Sequence, residues 1–215
     1  MRRGTLAGRY FPAQPMQPPP PVTRALLIAT FVVFLLQQIP ELSFPISRWL
    51  ALSPVQSGFF WPWQVVTYAF LHSDIVQLLF NLLALWMFGI ELEQLWGERR
   101  FMQFVLASGL AGAVVYLVLS FIVPGMVFFG MASVVFGLLL AFGMLFPHRP
   151  ILVLMVWPTT MRNATIIFGV IVLVFAVLQR GAGAISSVAH LGGMLGAYLM
   201  LLWWRRRPPR FRRVK

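Results

Sequence analysis

The chain has 215 residues, 60% of them hydrophobic and only 10% charged, with 17 Lys and Arg against five acids and a formal net charge of +12. That composition is far from that of an average soluble domain and fits an integral membrane protein built as one compact helical bundle. Zero cysteines exclude disulfides, iron–sulfur clusters and thiolate zinc sites, and three scattered His with five acids leave no metal-ligand set, so neither a metal nor another cofactor is expected.

Residues 1–21 read as a Pro-rich arm. Pro12 to Pro21 ends in four consecutive prolines, Pro18 to Pro21, a stretch that cannot be helical and should be extended and solvated. Residues 22–204 carry six apolar spans near 22–39, 69–90, 101–123, 131–147, 161–179 and 185–204. The first follows the Pro-rich stretch and lacks a small-residue cleavage site, so it reads as a membrane span and not as a removable signal. Pro40 to Gln64, between the first two spans, is rich in Phe and Trp and suits a loop half sunk in the outer interface. The link Glu91 to Arg100 holds three of the five acids and two Arg and is most simply a solvated turn. Residues 205–215 form a polybasic tail behind Trp203 and Trp204, expected to act as a topology signal and to meet anionic lipids.

The cations sort by side of the membrane. Arg2, Arg3, Arg9, Arg24, Arg99, Arg100, Arg149, Arg162 and the seven of the tail fall on one side, and Arg48 and Arg180 on the other. The positive-inside rule then makes both termini cytoplasmic, and compactness with basic flanks points to a bacterial inner membrane. The basic balance is a matter of topology, and no nucleic-acid partner is expected.

Two polar residues interrupt the apolar runs, Asn81 in the second span and His190 in the sixth. Amide or ionisable side chains within a membrane helix are costly and usually mark a working site. Asn81 lies nine residues after His72, roughly 13 Å along a continuous helix, and His190 lies near the outer start of its span. The glycine-flanked segment Gly130-Met-Ala-Ser-Val-Val-Phe-Gly137 opens the fourth span, so all three point to one site in the outer half of the membrane. Gly192 with Gly196, and Gly137 with Gly143, allow close helix approach. An imidazole there could serve a serine hydroxyl as general base. Glu91, Glu93 and Glu98 fall on the opposite side, so a dyad, and not a triad, is what the chain could support. Ser186 and Ser187 read as packing or hydrogen-bonding residues.

These residues resemble the rhomboid family of intramembrane serine proteases. The resemblance runs from about Pro62 to Tyr198 through Trp63 to His72, Leu79 to Trp86, Gly130 to Gly137 with Leu145-Phe-Pro147, and Ala189-His-Leu-Gly-Gly193. It implies a six-helix bundle with a water-filled cavity, in which a serine opening the fourth helix attacks the peptide bond. It implies His190 as general base, Asn81 as oxyanion donor and His72 as the first histidine of the second-helix motif. Where a second histidine is usual, four residues before Asn81, stands Gln77, whose amide can still donate. The nucleophile position reads Ala132, and a methyl group cannot attack a carbonyl. Ser133 would replace it only if the start of the helix were re-registered, because one residue rotates a side chain by roughly 100°.

The expectation is therefore an all-α rhomboid-like scaffold that would cleave single-span membrane proteins but lacks its hydroxyl. The rival from another class is a naturally inactive relative that binds or escorts transmembrane segments. A transporter would call for an intramembrane acid or a broken-helix repeat, and neither is evident.

Overall fold

In a computed structural model of the protein, which describes residues 18–122, 127–153 and 156–206, the chain enters its first helix through a proline pair. Helix α1 (Pro21–Gln37) has Pro at its first position, where a missing N–H is harmless, but no side-chain cap of its own. The cap comes from elsewhere in the chain. Glu93, 2% exposed, accepts hydrogen bonds from Val22 N (2.9 Å), Thr23 N (2.7 Å) and Thr23 Oγ1 (2.7 Å). A carboxylate at a helix N-terminus satisfies donors that the helix cannot and meets the positive end of its dipole.

That bond corrects the reading of Glu91 to Arg100 as a solvated turn. Helices α4 (Ile75–Ala84) and α5 (Ile90–Trp96) are joined by a π-helical turn, Leu85–Gly89, into one rod ending at Trp96. The link shrinks to Gly97, whose φ of +78° suits glycine, before α6 (Glu98–Ser120) begins. The apolar pattern of Leu92 and its neighbours continues the helix past the acids, and Glu93 faces inward because α1 offers it three donors. Glu91 instead pairs with Arg149 on the surface.

Between α1 and α4 lie α2 (Pro40–Leu50), which has no buried residue, and the short α3 (Gln64–Thr67). Beyond α6 come α7 (Ala132–Leu145), a hairpin of β1 (Pro150–Val153) and β2 (Trp157–Thr160), α8 (Met161–Leu178) and α9 (Ala182–Arg206). The hairpin departs from the expected all-α chain. Its strands pair antiparallel from Pro150 with Thr160 to Val153 with Trp157. Pro147 and Pro150 stop α7, and the branched and aromatic residues that follow suit a pleated surface.

Four helices are long and apolar enough to cross a membrane: Ile75–Trp96, Glu98–Ser120, Met161–Leu178 and Gly183–Arg206. Pro21–Gln37 and Ala132–Leu145 are shorter apolar helices. Large apolar side chains such as Ile28, Val114, Val118, Leu173 and Val177 are exposed on their outer faces, as lipid contact requires. The protein is an integral membrane protein. The first 17 residues of the expected Pro-rich arm, and the tail beyond Arg206, lie outside the described residues.

Helix α9 packs mainly on α6 and α7. Its glycines make this possible. A Cβ built on Gly193 would collide with the backbone of Ser133, and one on Gly196 would strike Ala111 Cβ and lie 2.7 Å from Ala107 O. Two buried clusters result. One, around Phe101, Phe104, Leu138 and Phe142, fills the end where α5 meets α6, and the other gathers Leu52, Tyr68, Tyr116, Phe128, Ile185 and Ala189 at the opposite end.

Glu93→Ala strands two N–H groups and a hydroxyl in the interior, each costing about 1–3 kcal/mol. Thermal unfolding in detergent should show a drop in midpoint far exceeding that of Glu98→Ala, an exposed acid one turn away. Gly193→Ala forces a Cβ into helix backbone, an overpacking worth about 1–3 kcal/mol. Its folded yield and midpoint should fall, while Gly58→Ala, where nothing lies within 4 Å, loses only the ease of a positive φ.

Candidate active site

Helix α4 starts where Asp74 caps it. Asp74 Oδ1 accepts from Gln77 N at 2.8 Å, and Oδ2 accepts from Ser73 Oγ at 2.7 Å. The Gln77 backbone N–H, with the Ser73 hydroxyl behind it, holds the Asp74 carboxyl below its ordinary value. The cap also ends the helix that the sequence pattern extends back to residue 69. Leu71 to Asp74 turn instead of winding, and His72 folds over the side chain it was expected to sit roughly 13 Å above.

His72 Nε2 and Asn81 Nδ2 are 3.0 Å apart, and both residues are buried. His72 Nδ1 lies 3.3 Å from the Phe70 carbonyl, which can only accept, so Nδ1 carries the proton and Nε2 receives the Asn81 N–H. Burial pushes the His72 imidazole below its usual value, which keeps it neutral in that tautomer. The backbone of His72 is fixed to α1, since Gln37 Oε1 accepts its N–H at 3.2 Å and Gln37 Nε2 donates to its carbonyl at 3.4 Å. Asn81 is thus aimed by a histidine that is itself anchored.

Gln77 is oriented in the same way. Its Oε1 accepts from Ser73 N (2.8 Å) and Ser73 Oγ (3.1 Å), which turns Nε2 toward the entry of α7. A Cβ on Gly130 would lie 3.2 Å from that nitrogen, and Gly130 has φ +110°, so glycine is needed there for both space and conformation. The entry is clamped by backbone. Leu52 and Phe128 exchange two N–H···O bonds of 2.9 Å, and Gly130 N donates to Tyr68 O at 2.9 Å. Helix α7 then begins at Ala132 with its first N–H groups directed out of that end.

On the other side of α7 stands His190. Its ring stacks on Phe136 (centroids 5.7 Å, interplanar 19°) and meets Phe128 at 5.9 Å. Ala132 is four residues before Phe136, one turn back on the same face, and helical side chains lean toward the N-terminus. The strip of α7 covered by the imidazole therefore carries the Ala132 methyl. Both Ala132 and His190 are half-buried.

Ser133 faces elsewhere. It is fully buried, donates to Ala189 O at 3.3 Å, lies beside the Tyr68 hydroxyl and fills the space over Gly112. The Tyr68 hydroxyl donates to Gly109 O at 2.8 Å. This hydroxyl pair sits at the α6, α7 and α9 seam, turned from His190 by the one-residue rotation expected of a helix.

The structure thus brings Gln77 to Gly130, His72 to Asn81, and His190 to Phe136, one helical turn after Ala132. Gly137 lies against Ser108, Gly192 against Val115 and Gly196 against Ala111, so the predicted packing glycines sit at helix contacts. Phe136, Phe128 and Tyr68 are site residues that sequence reasoning missed. Phe136 was legible through its four-residue spacing from Ala132. Phe128 was not, because its place depends on the backbone pair with Leu52.

With this geometry in hand, the chain matches the Rhomboid domain over residues 61–207. It is 30% identical over 140 residues to the rhomboid protease GluP of Bacillus subtilis, covering 63% of this chain and 25% of that protein. It is 26% identical over 183 residues to the rhomboid protease GlpG of Pectobacterium atrosepticum, and 26% identical over 186 residues to that of Serratia proteamaculans. Both matches cover 85% of this chain and 62% of the relative. The chain thus spans about three fifths of the GlpG proteins and a quarter of GluP. A domain match over most of the chain, joined to named rhomboid proteases, shows that this integral membrane protein belongs to the rhomboid family of intramembrane serine proteases.

Proposed function

We propose that this protein carries a rhomboid serine-endopeptidase site complete except for the attacking hydroxyl, and is silent in proteolysis as it stands. The observation that carries the reading is the His190 ring stacked on Phe136, one helical turn from Ala132. His190 is the general base, Ala132 occupies the nucleophile position, and Asn81 and Gln77, with the first N–H groups of α7, face the oxyanion. His72 positions Asn81 through the 3.0 Å hydrogen bond. Ser133 is a packing residue, since its buried hydroxyl is engaged with Ala189 O and fills the space over Gly112.

In this reading residues 22–204 form one membrane domain of six crossings. The four long helices cross unaided. Helix α1, and α7 with its clamped entry segment, make up the rest. At 14 residues α7 is about 21 Å long, less than the roughly 30 Å hydrocarbon thickness, so its N-terminus lies within the membrane. The basic end, with Arg24, Arg99, Arg100, Arg149, Arg162, Arg205 and Arg206, is cytoplasmic by the positive-inside rule. The site then opens to the outside, and a competent enzyme would cut a single-span protein near its outer end. The bacterial sources of GluP and GlpG support a bacterial inner membrane. The polybasic tail adds attraction for anionic lipids, about 1 kcal/mol per cation near the surface.

A second reading is favoured by Ala132 itself. A scaffold that keeps the shape of the site but cannot cut could bind or escort a transmembrane segment. It predicts capture of such a segment by the unmodified chain with an affinity that His190→Ala leaves unchanged.

Cleavage of a single-span reporter in proteoliposomes separates these readings. Ala132→Ser should raise turnover over the unmodified chain, by up to about 10⁶-fold if the remaining site is intact. In that background Ser133→Ala should leave kcat unchanged and His190→Ala should abolish cutting. Cleavage by the unmodified chain that survives Ser133→Ala and is lost with His190→Ala would overturn the proposal. In the Ala132→Ser background, Gln77→Ala should lower kcat by about 10²–10³-fold with little change in KM, as loss of an oxyanion donor does.

A further inference from the structure

The hairpin between α7 and α8 has no role in the site described above, and its surface is unlike that of a soluble loop. Leu152 is 57% exposed, Trp157 75% and Val156 83%, whereas Ile151 on the same hairpin packs against the main buried cluster. The base is fixed: Met161 N donates to Arg149 O at 2.9 Å and Arg162 N donates to Pro147 O at 3.2 Å. From Phe146 to Asn163 the sequence has no acid, while Arg149 and Arg162 bracket the strands. We infer that this hairpin is an interfacial anchor, lying with Leu152, Val156 and Trp157 in the bilayer leaflet at the basic end of the molecule.

Three physical constraints meet at that location. The hairpin leaves from the last turn of α7 and returns into α8, a candidate membrane span, so its base lies at the bilayer surface. Strands of four residues reach only about 13 Å, which keeps Val153 and Val156 at their far ends near the interfacial zone. Two strands leave open edges with unpaired N–H and C=O groups, which the hydrocarbon core does not tolerate. Open edges thus exclude deep insertion, and exposed Leu152, Val156 and Trp157 disfavour bulk water. The headgroup and upper acyl region supplies both hydrogen-bonding partners and apolar cover. It is also where an indole such as that of Trp157 prefers to sit. Arg162 is exposed at the hairpin's return, and Arg149 reaches Glu91 at its start, so the flanks carry cations and no unpaired acid toward the lipid phosphates.

A protein partner is the competing occupant, and the favoured lipid reading differs from it in a purified system. The chain has no cysteine, so Val156→Cys and, for comparison, Glu98→Cys each give one labelling site at the same end of the molecule. Val156 is exposed enough that its replacement disturbs no packing, and Leu152→Cys provides an independent second position. Each variant, labelled with an environment-sensitive fluorophore, is reconstituted alone into vesicles of phosphatidylethanolamine and phosphatidylglycerol. The probe at 156 should be quenched several-fold more by lipids spin-labelled high on the acyl chain than the probe at 98, and several-fold less by aqueous iodide. The probe at 152 should follow it. Iodide quenching at 156 equal to that at 98 would overturn the anchor and leave a water-facing surface open to a soluble partner. Protection from both quenchers would overturn it as well, in favour of contact between copies of the chain.

Discussion

The backbone of α9 rests directly on that of α7 at Gly193, and the geometry of the site follows from that contact. Removing the side chain there lets the two helices approach until the Ser133 carbonyl fills the place of a Cβ. Ala189 is then close enough to receive the Ser133 hydroxyl, and His190, the next residue, stacks on Phe136. In lipid no hydrophobic force drives helices together, so shape must do it, and a glycine-lined seam is the usual means. The imidazole is held by its neighbours' backbones and by two aromatic rings, with no carboxylate needed to orient it.

The opposite side of the site is built from hydrogen bonds, because the second-span residues are polar and must be satisfied where water is scarce. Three of the polar side chains there each face two neighbours. Gln77 accepts Ser73 and presents its nitrogen to Gly130, His72 accepts Asn81 and donates toward Phe70, and Gln37 brackets the His72 backbone. This network links α1 to α4 at one end, as Glu93 links α1 to α5 at the other. Helix α1 is tied at both ends by polar bonds, while its middle offers Ile28, Phe31 and Val32 to lipid.

The apolar runs were legible in the sequence because length and hydropathy alone determine what can span a bilayer. So were Gly137, Gly192 and Gly196 as packing glycines, and His190 and Asn81 as polar residues standing out in apolar runs. What was not legible depends on partners distant in sequence. Glu93 looks like any acid of a charged link until the donors of Val22 and Thr23, seventy residues away, are placed against it. The pairing of His72 with Asn81 needed the break at Asp74, a cap whose effect is to begin the second helix six residues later than hydropathy implies. The hairpin escaped because an apolar run of four to eight residues has no period that tells strand from helix.

Ala132 and Ser133, adjacent in α7, differ in what their side chains meet, and in the proposed reading that difference lets position 132 vary at little cost to the fold. Ser133 is buried, hydrogen-bonded to Ala189 O and packed over Gly112, so its removal would lose that bond and open a void at a three-helix seam. Ala132 is half-buried at the first position of α7. The polar residues around it satisfy one another: Asn81 has His72, and Gln77 has Ser73. Exchange of a serine for alanine at 132 therefore costs the scaffold little, because alanine is the best helix former and strands no buried donor. Adjacent residues of the same helix are thus turned to different faces, Ser133 into the seam with α9 and Ala132 onto the side that carries Phe136 one turn later.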